Sequence, residues 1–368
     1  MTPGAGEHYF PGPDSEWEHR DAADLGMDAA ALAEAVSHAE ANETRWPRDV
    51  SRMVGRGEKP PHNEILGPTR ERGPTSGLVV RQGYIVAQWG DPARVDMTFS
   101  ATKSYLSTVA GLAFDRGLIR DTQDLVRDYV DDGGFDPPHN SAIRWEHLLQ
   151  QTSEWEGTLF DKPDLIDRNR SVGVDPGLEK GTFRELQEPG THYEYNDVRV
   201  NRLGLCLLRL WGEPSPAVLK RELMDPIGAS ESWQWHGYRN SWVDVNGELM
   251  QSVSGGAHWG GGLWISTYDH ARFGYLLMRR GCWGDRQLLS EEWVDRATTP
   301  SGANPSYGYM WWLNTGGTRY PGASESMFAA SGAGGNEVVI DPEHELVITV
   351  RWGGDNRGVV ERVMAALK

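Results

Sequence analysis

The sequence predicts an α/β protein of the α+β type: an antiparallel sheet of five or more strands, flanked by terminal helices, with a mostly helical domain inserted between its halves. Three observations predict it. Two strand–turn–strand patterns lie at opposite ends of the chain, each stands beside a terminal helical pattern, and the region between them shows helical periodicity punctuated by Pro and Gly.

The first helix is expected over Asp28 to Asn42, with Asp28 as N-cap and Ala29, Leu32, Val36 and Ala39 on one face. Glu43 to Thr75, rich in Pro, Arg and Gly, reads as an irregular segment. Gly77 to Val80 and Tyr84 to Trp89 flank Arg81-Gln82-Gly83 as a hairpin. Glu337 to Ile340 and Leu346 to Trp352 flank Asp341-Pro342-Glu343 as a second hairpin, and a helix over Val359 to Leu367 closes the chain. The economical solution joins both hairpins in one sheet. Residues 1–120 and 251–368 then form a discontinuous body, 121–250 the insertion, and a catalytic cleft is expected between them.

Composition bounds the function. The 368 residues are enough for a large core, and 38% hydrophobic with 24% charged residues is ordinary for a globular chain. A formal net charge of −17 disfavours nucleic acid and anionic membrane, which need clustered cations. No apolar run reaches the length of a membrane span, and Met1 to Asp24 lacks the basic start and apolar run of a secretory signal, so a cytoplasmic location is expected. Cys206 and Cys282, both in segments that read as helices, have no partner at redox or metal-binding spacing, and the 11 histidines show no ligand pattern. The expectation is no metal and no cofactor.

The chemistry centres on Ser100-Ala101-Thr102-Lys103. It opens an amphipathic helix in which Leu106, Val109, Ala110, Ala113 and Phe114 follow helical spacing up to Gly117. A Ser and a Lys three apart share one helix face. At a helix N-terminus free N–H groups stabilise developing negative charge, and a desolvated lysine with a lowered pKa can take the serine proton. Ser-x-x-Lys also arises often by chance, so the pair needs company. There is no Gly-x-Ser-x-Gly elbow, and His344-Glu345 lacks the second His of a zinc protease.

Further motifs follow in order. Met97 to Ser104, then Gly111-Leu112-Ala113, resembles the first motif of class C β-lactamases, family VIII carboxylesterases, nylon-oligomer hydrolases and related D,D-peptidases. Trp145 to Ser153 resembles the helix and turn ending in His-Thr-Ser-Gly in those families, with Gln151 for the His and Glu154 for the Gly. Pro189-Gly190 leading to Tyr195-Asn196-Asp197 resembles their Tyr-x-Asn triplet, with Asp197 for the Asn. Gly260 to Ser266 and Asp269 to Gly274 are similar to their Gly-rich strand and following helix, read here as structural. Ala330 to Asn336 occupies the place of Lys-Thr-Gly or His-x-Gly, without its cation.

The resemblance implies a β-lactamase/transpeptidase-like fold and a cofactor-free serine hydrolase of a small-molecule ester or amide, acting through an acyl-enzyme on Ser100. Lys103 and Tyr195 would move protons, and Gly332, Ala333 and Gly334 would wall the oxyanion site. Asp197, Trp155, Trp259 and His258 are the expected substrate contacts, with Asp197 alternatively holding Lys103. Amide hydrolysis, acyl transfer, β-lactam or D,D-peptide hydrolysis, and non-catalytic ligand sensing are the competing readings. With no cation in the last motif and an acidic Asp197, neutral substrates are expected, unless an arginine such as Arg168 or Arg170 reaches the cleft. Oligomeric state stays open.

Overall fold

The computed structural model describes residues 8–13 and 16–368, so the first seven residues of the stretch read for a leader lie outside it. In chain order the elements are α1 (Ala29–Ala41), β1 (Ser76–Arg81), β2 (Tyr84–Trp89), β3 (Asp96–Met97), α2 (Thr102–Asp115), α3 (Trp145–Leu149), β4 (Thr158–Leu159), β5 (Lys162–Pro163), α4 (Asp197–Trp211) and α5 (Ser215–Leu219). There follow β6 (Gln234–Val245), β7 (Glu248–Val253), β8 (Gly262–Ile265), α6 (Thr267–Met278), β9 (Cys282–Trp283), β10 (Arg286–Gln287), α7 (Glu291–Ala297), β11 (Trp312–Leu313), β12 (Phe328–Gly332), β13 (Asn336–Asp341), β14 (Leu346–Arg351) and α8 (Asn356–Ala365).

The main sheet has six strands in the order β11-β12-β13-β14-β1-β2, with every pairing antiparallel. The two hairpins meet where β1 pairs with β14, Ser76 opposite Arg351. Both faces of the central strands are buried: Leu78, Val80, Val338, Ile340 and Val347 pack into the large core with α2 and α6, while Val79, Val339, Ile348 and Val350 pack on the side of α1 and α8. Helix α1 starts as its sequence dictates, the Asp28 carboxylate accepting from the N–H groups of Ala30 and Ala31.

Two elements differ from expectation. Residues 121–250 hold α3, α4 and α5 but end in the 12-residue strand β6, part of a second sheet in the order β3-β8-β6-β7. Tyr238, Val243 and Val245 are β-formers, and the Asn246-Gly247 turn returns the chain, so a hairpin forms where helix was read. Cys282 lies in β9 rather than a helix, whereas Cys206 is buried in α4.

Helix α2 is buried on every side from Thr102 to Ala113 and not along one stripe. Its polar residues are met inside: Ser104 Oγ donates to the Met310 carbonyl at 2.8 Å and Thr108 Oγ1 to the Ser104 carbonyl at 2.9 Å. The nucleophile candidate thus sits on a rigid central helix. Among the described residues, no helix is long and apolar enough to cross a membrane.

Candidate active site

Ser100 lies in a 3-10 turn, Phe99–Ala101, immediately before α2. Phe99 has φ +50, a left-handed conformation costly for a bulky side chain, and its ring is wedged edge-on between Trp46 and Trp352. The turn is pinned from below. Thr98 N–H donates to the Leu263 carbonyl at 3.0 Å, and Thr98 Oγ1 lies 2.6 Å from His270 Nε2, whose Nδ1 meets the Tyr105 hydroxyl at 2.9 Å. Burial, with the nearby Arg351 guanidinium, keeps His270 well below the ordinary histidine pKa and hence neutral.

One helical turn on, Lys103 Nζ donates to Ser100 Oγ at 2.9 Å and to Asp197 Oδ1 at 2.5 Å. Asp197 is the first residue of α4, and its other oxygen accepts from Arg170. Lys103 and Asp197 are each 1% exposed. Burial pushes the Lys103 pKa down, but the Asp197 carboxylate together with Tyr195 more than offsets it, so the lysine is held above its ordinary value. The lowered lysine pKa expected from desolvation is therefore not found, because a carboxylate stands where the resembled families carry an amide. Burial likewise opposes the Asp197 charge and is outweighed by Lys103 and Arg170, which hold that carboxyl far below its usual range.

Tyr195 is brought to the same place. Its ring lies 4.6 Å from Lys103 Nζ, 5.3 Å from the Arg170 guanidinium carbon, and stacks on Trp312 at 6.0 Å. Gln151, at the position of the family's His, accepts from Asn196 N–H at 3.0 Å and donates to Tyr307 Oη at 2.8 Å, fixing the segment that carries Tyr195. Glu154, at the family's Gly, keeps the left-handed backbone with φ +50 and is held by Arg184 and Arg199.

A cavity of about 240 Å³ opens over Ser100, lined by Trp46, Met53, Val54, Phe99, Ala257, His258 and Ala333 together with Arg56, Arg170 and Asp197. Larger hollows, such as one of about 530 Å³ beside Leu277, Val294 and Phe328, lie away from Ser100. Strand β12 ends against the nucleophile turn. A Cβ on Gly332 would come within 2.0 Å of the Thr98 carbonyl, so only glycine allows this approach. Ala333 is left facing the cavity, whereas Gly334, with φ +79, turns the chain beside Trp352 and is not part of the cavity wall.

Of the expected substrate contacts, His258 lines the cavity, and two do not. Trp155 is 3% exposed and donates through Nε1 to the Gly134 carbonyl at 2.8 Å. Trp259 is fully buried, with Nε1 donating to the His62 carbonyl at 3.0 Å. Both are packing residues, each with its indole N–H satisfied inside the core. The aromatic walls come instead from Trp46 and Phe99. Asp197 borders the cavity with both oxygens engaged, so its charge is already met and the premise that it repels an anionic substrate fails. Arg170 does reach the cleft, as the alternative allowed, while Arg168 is buried against Asp164.

Sequence reading missed Met53 to Arg56 as cavity lining, Glu58 as the partner of His258, and the glycine doublet Gly255-Gly256, whose second member lines the cavity. A Cβ on Gly256 would lie 2.1 Å from Asp197 Oδ1 and 2.3 Å from Lys103 Nζ, so the chain crosses the ion pair only because Gly256 has none. That doublet was the available signal. Among the described residues, two clusters have metal-ligating composition, Glu58-Asp167-His258 and Glu154-His192-Glu194. In the first, Lys180 Nζ contacts Glu58 and lies 3.0 Å from Asp167; in the second, Arg184 and Arg199 pair with the glutamates. Side-chain cations already meet these carboxylates.

Residues 75–365 match the family model described as Beta-lactamase. The chain belongs to the beta-lactamase family. Among curated family relatives, it is 24% identical over 268 residues to an Escherichia coli O157:H7 protein provisionally designated a D-alanyl-D-alanine carboxypeptidase, covering 62% of this chain and 61% of that one. It is also 24% identical over 258 residues to the N-acetylmuramyl-L-alanine amidase of Bacillus subtilis strain 168, covering 60% and 58%. The chain thus spans about three-fifths of the length of the curated relatives it matches. Among solved structures, simvastatin synthase from Aspergillus terreus superposes with a TM-score of 0.57 at 14% identity, over 91% of this chain and 97% of that one. A penicillin-binding protein homologue from Caulobacter crescentus gives 0.56 at 17% identity, over 86% and 96%. At these identities the likeness establishes a shared beta-lactamase/transpeptidase-like fold.

Proposed function

We propose that the protein hydrolyses a small carboxylic ester or amide through an acyl-enzyme on Ser100. The observation that carries this reading is the buried Lys103 Nζ at 2.9 Å from the Oγ of Ser100, which itself lines the cavity. Membership of a hydrolase family and the names of its relatives agree with it.

In acylation, Ser100 Oγ bonds to the substrate carbonyl carbon. The Ser100 hydroxyl hydrogen passes to the Tyr195 phenol oxygen as the phenol gives its own hydrogen to the departing alcohol or amine, while Lys103, donating to Ser100 Oγ, stabilises the charge that develops there. Held as an ammonium by Asp197, it enters and leaves the step with the same charge. The N–H groups of Ser100 and Ala333 are the donors assigned to the carbonyl oxygen as it becomes an oxyanion. The cavity of about 240 Å³ lies below the ~300–1,000 Å³ typical of drug-sized ligands, which favours a short acyl group.

The test is intact-mass detection of a covalent adduct across esters, amides and lactams, with Ser100→Ala as the control. The expected result is one acyl mass per chain on at least one substrate and none on the variant. Wild-type turnover by purified Ser100→Ala would end the proposal. The substrate panel also decides between ester and amide.

A further inference from the structure

We propose that His258, oriented by Glu58, is the general base that activates water for release of the acyl group from Ser100. This rests on the acyl-enzyme reading above and assigns its second half-reaction.

Lys103 is unsuited to that task. Its Nζ donates to Asp197 Oδ1 at 2.5 Å and to Ser100 Oγ at 2.9 Å, and an ammonium has no lone pair with which to take a proton from water. A separate acceptor facing the cavity is needed, and His258 is a cavity-lining side chain with the right chemistry. Its Nε2 lies 2.7 Å from Glu58 Oε1. A carboxylate only accepts, so Nε2 donates to Glu58, and in the neutral imidazole Nδ1 then carries the lone pair. The ring is held edge-on against Trp259 at 4.4 Å, and Gly256 brings this segment across the Lys103–Asp197 pair.

The groups facing His258 define its surroundings: Glu58, Asp197 Oδ2 at 3.7 Å from Nδ1, Asp167 Oδ1 at 4.0 Å and Lys180 Nζ at 3.5 Å from Nε2. Burial opposes the Glu58 charge, but His258 and Lys180 together hold its carboxyl below the ordinary value, so it stays an acceptor. Imidazole and nucleophile thus border one cavity, and the orienting Glu58 carboxylate meets the imidazole at Nε2.

The step balances. Water oxygen bonds to the acyl carbon while its proton passes to His258 Nδ1. Collapse breaks the bond from the acyl carbon to Ser100 Oγ, which takes a proton from Lys103. The proton on His258 then returns to Lys103 across Asp197, whose Oδ2 faces the imidazole and whose Oδ1 faces the amine. The products are the free acid and the starting enzyme.

The experiment follows p-nitrophenyl acetate through pre-steady-state release of nitrophenolate, with intact-mass analysis of the quenched enzyme. In His258→Gln the expected result is a retained burst, a steady-state rate lower by roughly 10²- to 10⁴-fold, and an accumulated acetyl adduct on Ser100. Glu58→Gln, which keeps the imidazole but loses its orienting charge, should slow the same phase by less. Turnover by His258→Gln at the wild-type rate, or loss of its burst in step with the steady state while circular dichroism shows it folded, overturns the assignment. Absence of an adduct on the wild-type chain as well overturns the Ser100 reading itself and the assignment with it.

Discussion

Asp197→Asn isolates the feature that most distinguishes this site, the carboxylate beneath the lysine. The charges of Lys103 and Asp197 are 2.5 Å apart and almost fully buried. At an effective dielectric of about 20, their attraction is about 7 kcal/mol, and the desolvation of both ions takes back several kcal/mol of it. Removing one partner leaves a buried ammonium without its counter-charge, while Arg170 keeps its ion pair with Asp167, at 3.2 Å. The expected loss of stability at pH 7 is about 3–5 kcal/mol, read from urea unfolding. The sign with pH follows from both partners. Asp197 has a folded pKa below its ordinary 3.8, so its contribution is complete above that value and fades as pH falls below it. Lys103 has a folded pKa above its ordinary 10.5, so its contribution is complete below 10.5 and fades as pH rises past it. The gap between wild type and variant should be widest near neutrality and narrow at both extremes. Catalytically, the variant lysine loses the charge that kept it protonated, so labelling of Ser100 by a fluorophosphonate should reach its maximum at lower pH. A stability gap under about 1 kcal/mol, or superimposable labelling profiles, would refute the role given to Asp197.

Tyr195→Phe keeps the stacking on Trp312 and removes only the hydroxyl, so kcat should fall by roughly 10²- to 10⁴-fold with little change in unfolding midpoint; an unchanged kcat makes Tyr195 a packing residue. Gly332→Ala places a methyl 2.0 Å from the Thr98 carbonyl, between two backbone segments, and should cost about 1–3 kcal/mol while misplacing Ser100, measured by thermal unfolding together with fluorophosphonate labelling. Burial lowers the pKa of His147 to about 4 and lowers those of His192, His236 and His270. Each such group stabilises the fold fully above its ordinary 6.5 and loses that contribution as pH falls, so urea midpoints should drop steadily from pH 7 to pH 5. His270→Gln should flatten that slope by about 1.4 kcal/mol per pH unit, and an unaltered slope would show that His270 is not held neutral.

How much of this was legible in the chain depended on how local the cause was. The hairpin strands β1, β2, β13 and β14, the Asp28 cap of α1 and the pairing of Ser100 with Lys103 depend on residues within a few positions of one another, and their patterns are visible directly. Ordered motifs carried the family assignment for the same reason, since each motif is one short segment. What escaped was set by contacts between distant segments. Whether a tryptophan walls a cavity or fills the core depends on what surrounds it, so Trp155 and Trp259 read no differently from Trp46 in the sequence, although the first two are buried and the third lines the cavity. The direction of the Lys103 pKa shift was equally hidden, because it depends on the balance between burial and a carboxylate 94 residues away. The pairing of His258 with Glu58 was invisible for the same reason, since the two are 200 positions apart and only the fold brings them to 2.7 Å. Composition and periodicity determine which surfaces must be buried and which short segments turn; the placing of charges against one another in a low-dielectric interior, which decides proton affinities, exists only once the tertiary structure has excluded the water between them.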